Sequence, residues 1–247
     1  MIAPYGYDEQ NYSALLESPS WSHLFGTDDL GRDMFSRIVY GAQVTVIIGF
    51  GAVTLATVLA TLLGAFSAYY GGAVDTTVQR LVEVWQSFPP LILLMSIIVI
   101  IGRGELQLIL AIAFIFTATT SRVIRSAVLA IKNNVYFEAG RILGATDVRM
   151  IVRYVLPNVA PTIIVLATVQ LGAIVLVEAS LSFLGLGLPP PFPSWGQMLS
   201  GAGRRYFVEN PWIAVWPGLF ISLAVFGFNM LGDALRDVLD PRLRSGQ

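Results

Sequence analysis

Five stretches of this chain are apolar for long enough to cross a lipid bilayer, and that constrains its fold more than any other feature. A bilayer core takes about 20 apolar residues of helix, because lipid cannot satisfy exposed backbone N–H and C=O groups. The runs are 42–70, 84–102, 106–120 with an extension to 131, 159–184 and 212–231. Arg122 and Arg125 cut the apolar part of the third run short. Arginines at the end of a span are expected to snorkel toward headgroups. The fold class that follows is all-α, a polytopic membrane helical bundle with five spans. Composition points the same way, with 55% of the 247 residues hydrophobic and 13% charged. A soluble domain carries about 25% charged residues.

Several function classes drop out at once. Formal net charge is −1, which gives a nucleic-acid partner no electrostatic support. Cysteine is absent and His23 is the only histidine, so thiol catalysis and a multi-histidine metal site are excluded. His23 itself reads as a solvated or capping residue. Residues 1–41 are polar and acidic rather than basic and then apolar, unlike a cleavable signal peptide. An intramembrane protease needs a serine–histidine pair, paired aspartates or a zinc motif at membrane depth, and none of these patterns occurs. An ion-driven secondary transporter, the alternative class, would show inverted repeats and mid-membrane charges, and neither is visible. No Gly-x-x-x-x-Gly-Lys-[Ser/Thr] loop is present and Lys132 is the only lysine, so any nucleotide chemistry belongs to another polypeptide. A non-catalytic transport subunit remains.

Orientation follows from the positive charges. Arg122, Arg125, Lys132, Arg141, Arg149 and Arg153 surround one loop, which should be cytoplasmic. Alternation then places 71–83 inside, together with the tail that carries Arg236, Arg242 and Arg244. The layout expected is an outer N-terminal segment 1–41 with an amphipathic elbow helix, a membrane domain 42–235 and a cytoplasmic tail 236–247. The membrane domain includes a cytoplasmic loop 132–158 and an outer loop 185–211. In the elbow, Leu30, Met34 and Ile38 recur every four residues against Arg32, Asp33, Ser36 and Arg37. In the first span Ala52, Ala56, Ala60, Gly64 and Ala68 recur every four residues, a face smooth enough for close helix contact. Phe88-Pro89-Pro90 marks either a hinge or a helix start. Trp195, Tyr206, Trp212 and Trp216 suit an interfacial aromatic belt, and Arg204 and Arg205 in the outer loop are either solvated or paired with acidic groups of a partner.

The inside loop contains the densest pattern. It runs through Glu138-Ala139-Gly140-Arg141-Ile142-Leu143-Gly144-Ala145-Thr146-Asp147 to Leu156-Pro157. Gly144 should end a first helix, and Thr146 should cap a second with Asp147 in its first turn. Val148, Ile151, Val152 and Val155 would form one apolar stripe opposite Arg149 and Arg153. On periodicity alone this is either a projecting helix-turn-helix or an amphipathic helix on the headgroups.

Resemblance separates these alternatives. Glu138-Ala139, Gly144 six residues later and Leu156-Pro157 resemble the EAA loop of bacterial ATP-binding-cassette (ABC) importer permeases, with Gly140 where that family typically has alanine. Three further stretches resemble the dipeptide, oligopeptide and nickel importer group. They are His23-Leu24-Phe25-Gly26-Thr27-Asp28-Asp29-Leu30-Gly31-Arg32-Asp33; Glu178–Gly187 with Pro189-Pro190 and Pro193-Ser194-Trp195-Gly196; and Asn229–Asp237 with Leu239-Asp240-Pro241-Arg242-Leu243, the last similar to the second ("C") permease subunit. The resemblance implies a type I ABC importer fold, six-helical in the family, with a first helix upstream of Met1. It implies location in the bacterial inner membrane and import by alternating access of peptides, or of nickel or glutathione. The partners implied are a second homologous permease, two cytoplasmic ATPases that bind ATP and Mg, and an extracytoplasmic solute-binding protein above the outer loop. No cofactor is expected on this chain. It assigns ATPase coupling to Glu138, Ala139, Gly140, Gly144, Ala145, Asp147, Leu156 and Pro157. Gln170, Glu178, Asn229 and Asp233 are candidates to line the path or to touch a neighbouring helix.

Overall fold

The computed structural model describes residues 2–239, so Arg242, Arg244 and the Asp240–Leu243 part of the tail motif lie outside the described residues. Among the described residues nine α-helices follow in order: α1 Met34–Tyr70, α2 Gly72–Gln86, α3 Pro90–Ile101, α4 Glu105–Lys132, α5 Val135–Ile142, α6 Asp147–Arg149, α7 Leu156–Phe183, α8 Trp195–Met198 and α9 Trp212–Leu239. A π-helical segment, Met150–Val155, joins α6 to α7, and a second, Leu199–Gly203, follows α8. Among the described residues there is no named strand, only one bridge between Thr27 and Asp33. By length and composition α1, α4, α6–α7 and α9 can each cross a membrane, and α2 with α3 supplies a fifth, broken span bent by 87°.

That bend refines the second apolar run. Residues 72–86 form a helix rather than a connecting loop, and Pro90 opens α3. At ~1.5 Å per residue, the 12 residues of α3 rise only about 18 Å and cannot span a bilayer alone. Proline lacks the N–H that would continue α2 and is tolerated in a first turn. Phe88-Pro89-Pro90 is therefore both a break and a helix start.

The chain divides into two compact units, and the first comprises Met1–Ala52, Leu94–Ile112 and Leu171–Gly227. The expected separate elbow is absent here: α1 runs unbroken from Met34, and Asp33, Ser36 and Arg37 are buried with Met34 and Ile38. Burial of those polar groups is possible because each finds a partner. Asp33 caps α1 by accepting from the Ser36 backbone N–H at 2.7 Å. Its other oxygen lies 3.0 Å from His23 Nδ1, and the buried imidazole packs against Tyr5. His23 is thus a core partner rather than a solvated residue. Arg37 donates to the Tyr7 carbonyl at 2.9 Å, and Asp28 accepts from Arg32 Nε at 2.7 Å.

Trp195 also leaves the expected aromatic belt. It is buried with Met34, Ile38 and Met198, and its indole N–H donates to the Ile38 carbonyl at 3.1 Å. Gly41 makes the room, since a Cβ there would lie 2.9 Å from the indole Cδ1. Trp216 stacks on Phe25 at 4.0 Å, whereas Trp212 is exposed as a belt residue would be.

The second unit comprises Val53–Leu93, Ala113–Gln170 and Phe228–Gln247. Here Ala56, Ala60, Gly64 and Ala68 are all buried, as the four-residue spacing predicts. A Cβ at Gly64 would run into the Ser121 carbonyl and approach the Arg125 amide nitrogen to 3.1 Å. α1 and α4 therefore meet backbone to backbone at this point. Arg125 does not snorkel: it forms a two-pronged pair with Asp75 of α2, with Nε–Oδ1 at 2.6 Å. Arg122 lies 3.9 Å from Glu83, and Trp85 stacks on Phe114 at 3.9 Å. Asp75 and Glu83 of α2 thus pair with arginines of α4, while Val74, Leu81 and Val84 are exposed. Paired charges and an outward apolar side suit a helix in lipid, where an unpaired charge is costly.

The contact at Gly64 predicts a specific sensitivity. Gly64→Val should destabilise the detergent-solubilised protein by at least about 1–3 kcal/mol through overpacking, measured as a lowered Tm. Gly227→Ala, where nothing lies within 4 Å of the added carbon, should leave Tm unchanged or slightly raised.

Candidate functional site

The 132–158 loop folds within the second unit, and local backbone rules set its shape. α5 ends in a Schellman motif: the Ala145 N–H bonds the Gly140 carbonyl at 3.1 Å and the Gly144 N–H bonds that of Arg141 at 3.0 Å. Gly144 has φ +78°, the left-handed conformation that this motif requires and that side chains resist. Two residues on, the Thr146 hydroxyl accepts from the Arg149 N–H at 3.4 Å. Both signals expected from sequence are therefore present, a glycine stop and a threonine start.

The apolar stripe is different from the one expected. Of its four residues Val155 is fully buried and Ile151 packs against the cluster, as expected, but Val148 and Val152 are exposed and Met150 is buried in their place. A π-helical segment bonds i to i+5, so inward positions recur five apart instead of three and four. Pro157 lies just beyond, and it has no N–H to offer the Arg153 carbonyl. The wider turn falls where a regular helix would have lost that bond.

Met150 fixes the two arms against each other. Its sulfur would stand 3.0 Å from a Cβ at Gly140, so the glycine leaves the pocket that Met150 fills. The Met side chain is flexible enough to yield to alanine there. Around it lie Phe137, Val155, Val159 and the C-terminal end of α1, including Ala68 and Tyr69. Ala145 and Leu156 pack at the edge of this cluster, while Glu138, Ala139, Gly144 and Pro157 are exposed.

The result is a compact elbow with an apolar tip. Ile142 is 84% exposed, Leu143 85% and Val148 71%. Arg141, Arg149 and Arg153 are exposed beside them. The tip residues were not among the sequence candidates. Their signal was an apolar pair directly before the glycine stop, a place where a helix ordinarily turns polar.

The remaining candidates separate. Glu178, in the first unit, is 2% exposed and accepts from Ser182 Oγ at 2.7 Å and Ser194 Oγ at 3.2 Å. It links α7 to the residue preceding α8 and is not solvated at the interface. Ile174 and Ser182 share its buried face. Gln170 is partly buried, and its Oε1 has no hydrogen-bond partner among the described residues. Asn229 and Asp233 are exposed on α9; the helix contact at that level is made by Gly232, where a Cβ would stand 2.9 Å from Val169 Cγ2. Among the described residues no group of three or more His, Asp or Glu is placed to hold a metal.

Residues 56–245 match the family described as binding-protein-dependent transport system inner membrane component, and the chain belongs to it. It is 40% identical over 245 residues to the dipeptide transport system permease protein DppC of Alkalihalophilus pseudofirmus, covering 99% of this chain and 80% of that protein. It is also 39% identical over 242 residues to the glutathione transport system permease protein GsiD of Pectobacterium atrosepticum, covering 97% and 80%. In fold it is similar to a chain of the inward-facing MetNI methionine ABC transporter, with a TM-score of 0.71 at 21% identity, covering 84% of this chain and 98% of that one. The class defined is an ABC importer permease of the type I architecture. Within that class the sequence stands beside permeases named for dipeptide and glutathione transport.

The packing at Met150 gives a second prediction. Met150→Ala should cost about 2–5 kcal/mol locally. Amide hydrogen exchange across 135–155 should accelerate, while exchange in the first unit stays at the wild-type rate.

Proposed function

We propose that this chain is one of two permease subunits of an inner-membrane importer for di- and oligopeptides, with the 132–158 loop cytoplasmic and gripped by an ATPase. The observation that carries this reading is the exposed apolar tip Ile142, Leu143 and Val148 on a loop otherwise rich in arginine. An apolar patch facing water is unfavourable and marks a surface for a partner. The arginines around it support a cytoplasmic position, because positive charge accumulates on that side. Glu138, Ala139, Gly144 and Asp147 are exposed as well and would border the docked partner.

ATP and Mg would bind on two separate ATPase subunits, and their closure would push the elbow so that the membrane helices rock between outward and inward access. A second, homologous permease would complete the solute path. Polar groups at membrane depth face protein or water, so exposed Asn229 and Asp233 would face that subunit or the path. Gln170 would serve as a helix contact, and buried Glu178 would hold the outer end of α7. On the outer side, the 185–211 loop would receive the solute-binding protein. Peptide import is supported by the similarity to the dipeptide permease. Glutathione, itself a short peptide, is the second reading, supported by the similarity to the glutathione permease.

Leu143→Asp tests the docking surface without disturbing the core. In vesicles carrying the complete transporter, dipeptide uptake should fall by about tenfold or more, and co-purification of the ATPases should weaken, while the permease inserts normally. Gly144→Asp is a less clean test because of the left-handed backbone there. Wild-type uptake with Leu143→Asp would refute the docking role.

A further inference from the structure

We propose that Tyr69 is a positioning residue that fastens the ATPase-driven elbow to the first long helix, so that displacement of the elbow moves α1. This rests on the coupling role proposed above for the 132–158 loop and adds the receiving side of that linkage.

Three elements meet at the inner end of α1. Tyr69 is 3% exposed, and its hydroxyl donates to Asp147 Oδ1 at 2.6 Å, across 78 residues of sequence. Its ring packs edge-on against Phe137 of α5, with centroids 6.2 Å apart. One side chain therefore touches both arms of the elbow. The last carbonyls of α1, at Ala68 and Tyr69, accept from Lys132 Nζ at 2.8 Å each. A helix C-terminus leaves such carbonyls without partners in the helix and favours a cation beside them. Lys132 is the chain's only lysine and ends α4 immediately before α5 begins.

The arrangement has a mechanical consequence. Asp147 sits in the first turn beyond the glycine stop, on the arm that leads through the π-helical segment into α7. A push on the exposed tip is transmitted through packed apolar contacts, which can slide. A short hydrogen bond from a phenol to a carboxylate is directional and charge-assisted. It holds the elbow and the end of α1 in one register, where the apolar contacts alone would permit slippage. Without it, the ATPases would still dock and hydrolyse ATP, but less of the stroke would reach α1.

The test uses the complete transporter, with both permeases, both ATPases and the binding protein, in vesicles, scoring dipeptide uptake and ATP hydrolysis together. Tyr69→Phe keeps the ring and removes the donor; Asp147→Ala removes the acceptor at an exposed position; Asp147→Asn retains an acceptor oxygen. Tyr69→Phe, which lies outside the docking surface, should lower uptake per ATP hydrolysed by about five- to tenfold with ATPases recovered in wild-type ratio; Asp147→Ala, at a residue that borders that surface, should lower uptake per ATP by a similar factor whatever its ATPase recovery. Asp147→Asn should stay within about twofold of wild type. The double variant should be no worse than either single one, because both remove the same interaction. Should Tyr69→Phe assemble poorly, the Asp147→Ala and Asp147→Asn pair decides alone. Unchanged uptake per ATP in Tyr69→Phe and Asp147→Ala, or a proportional fall of uptake and hydrolysis, overturns the proposal. If Leu143→Asp still abolishes ATPase recovery in that case, docking stands and only the tether fails. If Leu143→Asp is also without effect, the docking reading fails first.

Discussion

Lipid offers no hydrogen-bond partner, so a chain that spans it must close every backbone bond within its own helices and bring polar side chains to each other. Much of this structure follows from that requirement. α1 and α4 approach closely because Gly64 has no side chain to keep the Ser121 carbonyl away. The acidic residues of α2, Asp75 and Glu83, pair with Arg125 and Arg122 of α4, while Val74, Leu81 and Val84 are exposed. In the first unit a polar knot is buried at the start of α1, where Asp33 pairs with His23 and caps the helix at Ser36, and Asp28 lies beside Arg37.

The elbow of the 132–158 loop follows the opposite rule. Its backbone is held by a Schellman stop, a threonine cap and the buried Met150, and this rigidity leaves Ile142, Leu143 and Val148 in the open. A stiff base with an apolar tip is suited to being gripped and pushed. The base is tied in turn to the end of α1 and to Lys132 at the end of α4. The surface a partner would hold and the helices that would move are thus joined by a few short, directional contacts.

Reading the sequence recovered what depends on near neighbours. Apolar run length located α1, α4, α7 and α9, because the requirement for lipid-compatible helix is a local property of composition. The glycine stop at Gly144 and the cap at Thr146 were legible for the same reason, since each motif closes within a few residues. The π-helical segment was not legible: a regular period put Val148 and Val152 on one stripe with Ile151 and Val155, whereas the structure buries Val155 with Met150 and leaves Val148 and Val152 exposed. Nor was α2 recognised, because its charges read as those of a loop until Arg125 and Arg122 supply partners across α4.

Sequence by itself therefore determined that the chain is a helical membrane protein, where most of its spans lie, and which loop carries the family's pattern. Tertiary structure alone decided which polar groups are buried. Trp195 read as an interfacial residue, His23 as a solvated or capping one and Glu178 as a path or helix-contact residue, and each is enclosed by partners 10 to 157 positions away. It also decided that Tyr69 belongs with Asp147, 78 residues on. Helical periodicity carries information over a few turns, whereas burial and pairing depend on which distant segment folds back alongside.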